Sequence, residues 1–272
     1  GRVKDEKDIL QAVAEIASEL SFEFMVVGAG ARDLLLENGG FDIKVRRTFD
    51  VDIAVRLKDW GEYEFLLAGL QDRYGCRPDS RFKGRLLFPT GPSLDLVPFG
   101  AIADNEGNIS WPPDHNVEMG TAGFDAVLAA AVSVPVGNST IKVATFASIV
   151  LLKFLAWHDR ADRTDDLRDI WFVFDRYTEL IPENRLYAKD GMDADIIDSS
   201  DTFDWTEAGA RLAGRDVVRD TGVTGMRLLD WLDPELPAFQ DRFIRALKAV
   251  EPSCSAQQAI DTLRSFRRGM DE

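Results

Sequence analysis

The sequence predicts an α+β fold in which a small mixed sheet, flanked by helices, is followed by a helical half. Short apolar runs separated by turn residues fill the first 100 positions, a pattern typical of strands. From Phe146 almost to the end of the chain, apolar residues recur instead at the spacing of a helix. We therefore expect two domains, residues 1–144 and residues 145–272.

Apolar periodicity and turn residues predict the elements of the N-terminal half. In chain order they are a helix at 5–20, a strand at 22–27, a glycine turn at 28–30, a helix at 31–37, a strand at 48–55, a helix at 60–70 and strands at 85–88 and 93–97. Pro89-Thr90-Gly91-Pro92 joins the last two strands as a turn. The stretch 100–123 is rich in Gly, Asn, Asp and Pro and predicts a long loop, and 124–143 predicts an alanine-rich segment followed by short strands.

Helices are expected throughout the C-terminal half. Their predicted positions are 145–158, 165–179, 204–213, 224–232, 235–249 and 256–268. Asp233-Pro234 and Glu251-Pro252 mark boundaries, because proline cannot continue a helix.

The composition excludes several classes of protein. A hydrophobic share of 45% and a mean hydropathy of −0.15 are typical of a soluble globular protein. No apolar run reaches the roughly 18–20 residues that span a bilayer, and the first residues lack the apolar core of a signal peptide, so we expect a cytoplasmic protein with no membrane partner. Cys76 and Cys254 lie far apart and predict neither a disulfide framework nor a metal pair.

The net charge of −15 argues against broad nucleic-acid binding, which depends on basic side chains that replace counterions. Two local clusters of cations interrupt this acidic background. The first comprises Arg73, Arg77, Arg81, Lys83 and Arg85, and the second Arg264, Arg267 and Arg268. Solvated surface charge is the favoured interpretation of both clusters.

Three aspartates lie inside otherwise apolar strands. Asp50 and Asp52 are two residues apart and therefore share one face of a strand. Asp95 stands between Leu94 and Leu96 and faces the same way if the two strands are neighbours. Burying three acids in this setting is costly unless a cation offsets their charge. Three carboxylates on one face can hold divalent cations and orient a nucleoside triphosphate for in-line transfer.

The turn Gly28-Ala29-Gly30 precedes a predicted helix, and the backbone amides at a helix N-terminus suit a phosphate group. Gly-x-Gly after a strand also begins the dinucleotide-binding fingerprint, which requires a third small residue at position 33. Asp33 stands there instead, and the helical half lacks the alternating strands of a doubly wound sheet. The dinucleotide-binding alternative is therefore disfavoured.

Together, the glycine turn, the Asp50-x-Asp52 pair and Asp95 resemble the motif of the polymerase-β nucleotidyltransferase superfamily. Residues 46–52, Arg-Arg-Thr-Phe-Asp-Val-Asp, are similar to the Arg-x-Thr-x-Asp-x-Asp form of AbiEii-type nucleotidyltransferases. Residues 153–160 and 165–169 resemble helices of that group that carry Lys, Arg and Asp. The resemblance implies that residues 1–144 form a polymerase-β-like nucleotidyltransferase domain.

The resemblance also implies an activity and a set of site residues. It implies metal-dependent transfer of a nucleotide from a nucleoside triphosphate to an acceptor such as a tRNA or a protein. Asp50, Asp52 and Asp95 would bind Mg²⁺ or Mn²⁺, and Asp95 would also activate the acceptor hydroxyl. The nucleotide-binding residues would be Gly28, Ala29, Gly30, Arg32, Arg47, Thr48 and Lys153.

Proteins of this group often act as the toxin of a toxin–antitoxin or phage-defence pair, which implies a cognate antitoxin as a partner. Ala29 stands where the group usually has Gly or Ser. That substitution and the acidic surface keep open a different hypothesis, a catalytically degenerate module on the same fold that binds a nucleotide or a protein.

Overall fold

The computed structural model describes residues 3–43, 50–160, 164–197 and 203–272. The chain divides into two compact units, Gly1–Thr145 and Phe146–Glu272. Among the described residues, no helix combines the length and the apolar composition that crossing a bilayer requires.

A mixed seven-stranded sheet forms the centre of the first unit. Its strands are β1 (Glu23–Val27), β2 (Asp50–Arg56), β3 (Arg77–Pro78), β4 (Arg85–Leu87), β5 (Ser93–Phe99), β8 (Val132–Val136) and β9 (Ser139–Val143), while β6 (Asn108–Ser110) and β7 (Glu118–Gly120) form a separate two-stranded ribbon. The order across the sheet is β3-β4-β5-β2-β1-β9-β8. The pairs β2–β5 and β1–β9 are parallel and the other pairs antiparallel, which confirms the predicted mixed sheet.

Helices flank this sheet. They are α1 (Glu6–Leu20), α2 (Gly28–Gly39), α3 (Trp60–Tyr74) and α4 (Phe124–Ala130). The Asp5 side chain caps α1 by accepting a hydrogen bond from the Asp8 amide, and Ile9, Val13 and Ile16 bury one face of the helix. Helix α2 starts directly after β1, so the predicted turn at 28–30 is in fact the first turn of the helix.

The second unit is helical, as predicted, and the α+β class of the whole chain is confirmed. Its helices are α5 (Phe146–Asp159), α6 (Asp165–Leu180), α7 (Asn184–Tyr187), α8 (Trp205–Thr221), α9 (Val223–Leu228), α10 (Pro237–Val250) and α11 (Ala256–Asp271), with a 3₁₀ turn at Ala194–Ile196. Phe154, Phe174 and Phe266 are fully buried and contact one another, with ring centroids 5.2–6.3 Å apart.

Several predicted bounds differ from the structure; for example, α3 continues to Tyr74 and α9 ends at Leu228 rather than at 232. The loop at 100–123 contains the β6–β7 ribbon, whose strands of three residues are too short to show an alternating pattern. Helix α8 extends to Thr221 instead of ending at 213, because its glycines accommodate neighbouring backbone. A Cβ at Gly209 would lie 2.0 Å from the Phe174 carbonyl oxygen, and one at Gly214 2.1 Å from that of Phe266.

Candidate active site

The three predicted aspartates lie on adjacent strands in the centre of the sheet. In the parallel pair β2–β5, Asp52 is opposite Asp95 and Asp50 is opposite Ser93. Because side chains alternate along a strand, all three carboxylates point to one face of the sheet. The intervening residues Val51 and Leu94 are buried on the other face.

Helix α2 begins beside these carboxylates. In the antiparallel pair β1–β2, Val27 is opposite Asp52, and Gly28 follows it as the first residue of the helix. Gly28 has a φ of +65°, and a Cβ at this position would lie only 2.5 Å from Oδ2 of Asp52. The backbone conformation therefore favours glycine here, and any larger residue would also displace the Asp52 carboxylate.

Arg85 on β4 bridges two of the three carboxylates. It is opposite Asp95 in the antiparallel pair β4–β5. Its Nε and Nη2 donate to the two oxygens of Asp95, each at 2.7 Å, and Nη2 also donates to Oδ2 of Asp50 at 3.2 Å. The other oxygen of Asp50 accepts a hydrogen bond from Ser93 Oγ at 2.5 Å. These contacts, above all the hydrogen bonds to Asp95, raise the pKa of Arg85.

This arrangement bears on the predicted metal site. Carboxylate oxygens are the ligands that Mg²⁺ prefers, so the donor chemistry fits a divalent cation. Among the described residues, however, no group of three His, Cys, Asp or Glu side chains is placed to hold a metal ion. Arg85 forms ion pairs with Asp50 and Asp95, so a guanidinium supplies positive charge beside two of these carboxylates. A cation bound by Asp50 and Asp52 would share Asp50 with Arg85 and Ser93.

Three of the other predicted nucleotide-binding residues lie on α2. Ala29 and Gly30 lie in the first turn of α2 beside Gly28. Arg32, further along the helix, is buried and forms an ion pair with Asp33 at 2.9 Å. Arg47 and Thr48 fall outside the residues that the structure describes.

Lys153 belongs to the second unit, where it lies on α5 and contacts α6. Its Nζ is 2.9 Å from Asp166 and 2.9 Å from Asp169. Burial alone would lower the pKa of Lys153, but the charges of the two aspartates outweigh it and raise that pKa. Within its unit, Lys153 therefore has two carboxylate partners, and its predicted contact with a triphosphate stays a prediction.

Arg85 is the residue that the sequence argument missed as part of the site, because it was grouped with surface cations. A signal was nevertheless present in the predicted hairpin. The turn at 89–92 is centred near Thr90, and Arg85 and Asp95 are equally distant from Thr90 along the chain. An antiparallel hairpin pairs such positions, so an arginine opposite the third aspartate follows from the turn.

Tyr63 on α3 is a second neighbour of the site. The sequence argument assigned no role in the site to this residue. Burial raises its pKa, and the negative charge of Asp95 raises it further. The ring also packs against Trp60 and Trp111, with centroids 5.4 Å and 5.7 Å away.

No protein-family model matches the sequence, and no curated protein matches it either. Three solved structures are similar to parts of this chain. An antigenic nucleotidyltransferase-like protein from Paracoccidioides brasiliensis is 20% identical over 60% of this chain and 72% of its own, with a TM-score of 0.41. The antibiotic-resistance factor ANT(2'')-Ia is 15% identical over 61% and 80%, with a TM-score of 0.37. A tRNA-processing enzyme in an apo form is 16% identical over 97% and 78%, with a TM-score of 0.25. Because these TM-scores are below 0.5, the activity of this chain has to be inferred from its own residues.

Proposed function

We propose that the first unit is the catalytic domain of a nucleotidyltransferase that uses Mg²⁺ or Mn²⁺. One observation carries the proposal, namely the placement of Asp50, Asp52 and Asp95 on one sheet face beside the start of α2. Negative side chains that bind a cation and a helix terminus that attracts phosphate are the two components that a nucleoside triphosphate needs. Here both components meet at Gly28, whose Cα faces the Asp52 carboxylate.

In the proposed reaction, the oxygen of an acceptor hydroxyl attacks the α-phosphorus of a nucleoside triphosphate. A new P–O bond forms, the bond between the α-phosphorus and the bridging oxygen breaks, and pyrophosphate leaves. Asp95 accepts the hydroxyl proton, and Arg85 holds Asp95 in place through two hydrogen bonds. The amides in the first turn of α2 hold phosphate oxygens. A cation on Asp50 and Asp52 would neutralise the charge that develops on the phosphate oxygens.

The test is transfer of radiolabel from an α-labelled nucleoside triphosphate in the presence of Mg²⁺. We expect Asp52→Asn to reduce the transfer on the order of a thousandfold, because the loss of a cation ligand removes several kcal/mol of transition-state stabilisation. Asp125→Asn is the matched control, since Asp125 is an exposed acid of the same unit whose partner is Arg56. Undiminished transfer by Asp52→Asn would contradict the mechanism.

The resemblance to AbiEii-type proteins supports a narrower proposal, in which the transferred nucleotide disables a tRNA or a protein and a cognate antitoxin prevents this. Regulated expression in bacteria tests it. We expect growth arrest with the native chain and normal growth with Asp52→Asn. Arrest by both would show that the toxicity does not depend on the proposed chemistry.

A second candidate function is nucleotide or protein binding without catalysis. The observation that favours it is the double hydrogen bond from Arg85 to Asp95, which occupies both oxygens of the proposed base. Titration calorimetry with nucleotides and Mg²⁺ separates the two candidates. Binding without product over a range of acceptors supports the binding module, whereas label transfer rules it out.

A further inference from the structure

The loop between β3 and β4, residues 79–84, presents an aromatic ring between cations next to the candidate site. We call it the Phe82 loop. The Phe82 side chain is 52% exposed although it is large and apolar. Arg81 and Lys83 flank it in sequence, and the guanidinium carbon of Arg81 lies 5.5 Å from the ring centroid. Arg81 and Lys83 belong to the first of the two cation clusters, for which the sequence favoured an interpretation as solvated surface charge.

Backbone contacts hold the Phe82 loop in one conformation. The Asp79 amide donates to the Arg85 carbonyl at 2.8 Å, and the Leu96 amide donates to the Gly84 carbonyl at 2.9 Å. Gly84 has a φ of +77° and packs on Trp111, to which a Cβ would come within 2.8 Å. Trp111 is itself buried in the aromatic cluster with Trp60 and Tyr63. An exposed ring on an anchored loop loses little conformational entropy when it binds a ligand.

Arg85 connects the ring directly to the candidate site. Its guanidinium carbon lies 4.9 Å from the centroid of Phe82, while its nitrogens bind both oxygens of Asp95 at 2.7 Å. One guanidinium group therefore separates the ring of Phe82 from the Asp95 carboxylate, the proposed base. When a substrate reacts at Asp95, the parts of that substrate next to the reacting atoms lie close enough to contact the Phe82 ring.

The chemistry of the Phe82 loop selects one class of ligand. An exposed aromatic face binds a nucleobase by stacking, and arginine binds either the base plane or an adjacent phosphate. The two cations of the loop, Arg81 and Lys83, with Asp79 as its one acid and Arg85 directly after it, also make this segment an exception in a chain of net charge −15. Resting on the proposed function, we propose that Phe82 stacks on a nucleobase of a substrate and that Arg81 contacts a neighbouring phosphate. This base belongs either to the incoming nucleoside triphosphate or to a nucleic-acid acceptor.

The experiment measures equilibrium binding to the full chain rather than turnover, so it stands apart from the test of catalysis. The probes are a nucleoside triphosphate with a non-cleavable α,β-methylene bridge, a short single-stranded RNA, and inorganic tripolyphosphate, which has phosphates but no base. The variants are Phe82→Leu and Phe82→Tyr. Phe65→Leu is the matched control, because Phe65 is 69% exposed on α3 of the same unit.

We expect Phe82→Leu to weaken binding of the nucleotide, the RNA or both about tenfold or more, as measured for other base–aromatic stacks. Phe82→Tyr should keep native affinity because its ring can stack, and tripolyphosphate should bind all variants equally. Loss for the nucleotide assigns the base to the donor, and loss for the RNA assigns it to the acceptor.

Three results would overturn the proposal: unchanged affinity of Phe82→Leu for both base-containing probes, an equal loss for tripolyphosphate, or the same loss in Phe65→Leu. The first would show that no base meets the ring, and the second that the ring only supports the loop. If the stacking result holds while Asp52→Asn still transfers label, the proposed catalysis fails and the base-binding site stands.

Discussion

At the scale of single residues, the guanidinium of Arg85 places a positive charge beside Asp50 and Asp95, two of the three carboxylates that the sequence argument assigned to a cation. It hydrogen-bonds both oxygens of Asp95 and one of Asp50, and only 23% of its side chain is exposed. Partial burial strengthens such a charge-assisted contact relative to a surface ion pair. A divalent cation that binds Asp50 therefore competes with a neighbouring fixed positive charge.

Replacing Arg85 with glutamine should make Mn²⁺ bind more tightly, by about tenfold, because a like charge next to the cation site is removed. Titration of free Mn²⁺ by electron paramagnetic resonance measures this affinity. The matched control is Arg56→Gln, since Arg56 is exposed and pairs with Glu23 and Asp125 rather than with the candidate site. Equal or weaker Mn²⁺ binding by Arg85→Gln would show that the arginine does not compete with a cation.

Gly28 is the second residue with a specific consequence. Gly28→Ala would strain a backbone at φ +65° and bring a methyl group against Asp52, so label transfer should fall by about a hundredfold or more. Gly40→Ala separates the two effects, because Gly40 has a φ of +73° with open space around the position of a Cβ. Both variants should lose about 1–2 kcal/mol of stability in thermal unfolding. A comparable loss of transfer in Gly40→Ala would contradict a specific role of the contact with Asp52.

At the scale of elements, helix α8 is held against α6 and α11 by contacts that have no room for a side chain. Gly214 faces the backbone of α11, and in return Gly269 of α11 faces the backbone of α8. A Cβ at Gly269 would lie 1.9 Å from the carbonyl oxygen of Arg211. Since backbone cannot yield as a flexible side chain does, the two helices would have to move apart.

Gly269→Ala should therefore destabilise the protein by about 2–3 kcal/mol, although alanine is the better helix former. Denaturant unfolding followed by circular dichroism at 222 nm gives the free energy. Gln257→Ala at the exposed start of α11 is the control and should change stability by less than about 0.5 kcal/mol. If Gly269→Ala were as stable as the native chain, close helix packing would not be the reason for this glycine.

The elements also show how far the sequence could predict the structure. Strands β1, β2 and β5 were predictable because apolar residues such as Val26, Ile53 and Leu96 fill them. The full length of α8 was not, because Gly214, directly after the predicted end at 213, lowers helix propensity and packs against the backbone of α11. The placement of Asp95 beside Asp52 required a further assumption, the parallel pairing of strands about forty residues apart.

The candidate site was predictable to a similar extent. Local spacing was enough to place Asp50 and Asp52 on one face. The closeness of Gly28 to Asp52 and the contact of Arg85 with Asp50 depend on interatomic distances in the folded chain, which no local pattern encodes.

At the scale of the whole molecule, the second unit contains a network of ion pairs in which arginines contact several acidic side chains. Asp193 is fully buried and forms ion pairs with Arg185, Arg215 and Arg219, with nitrogen–oxygen distances of 2.6, 3.2 and 2.7 Å. Burial by itself would raise the pKa of Asp193, but hydrogen bonds from Arg219 and Arg185 outweigh it and lower this pKa to about 2. These contacts join the segment before the 3₁₀ turn to helix α8.

This network predicts how stability depends on pH. An unfolded aspartate has a pKa of about 3.9, so the stabilisation from Asp193 is fully present above about pH 5 and is lost as the pH falls through 2, with a total of about 2.6 kcal/mol. We expect Asp193→Asn to lower the free energy of unfolding at pH 7 by about 3 kcal/mol and to weaken its dependence on pH between 4 and 2. Unfolding by urea at several pH values measures both effects.

Asp195→Asn is the control for this prediction. Asp195 also pairs with Arg215, but 55% of its side chain is exposed, so we expect a change of less than about 1 kcal/mol. An equal effect of the two variants would mean that burial of the carboxylate is not what stabilises the network.

The missing side chain at Gly28 also limits how this chain can diverge. As long as an acid at position 52 is needed, every substitution at position 28 adds a Cβ that meets its carboxylate. If the acid is replaced by a smaller residue, the steric part of the restriction on position 28 disappears, while the restriction from its positive φ remains. Positions 28 and 52 should therefore covary among related sequences. After glycine, asparagine tolerates a positive φ best, so we expect asparagine at position 28 in the sequences that have lost the acid at position 52.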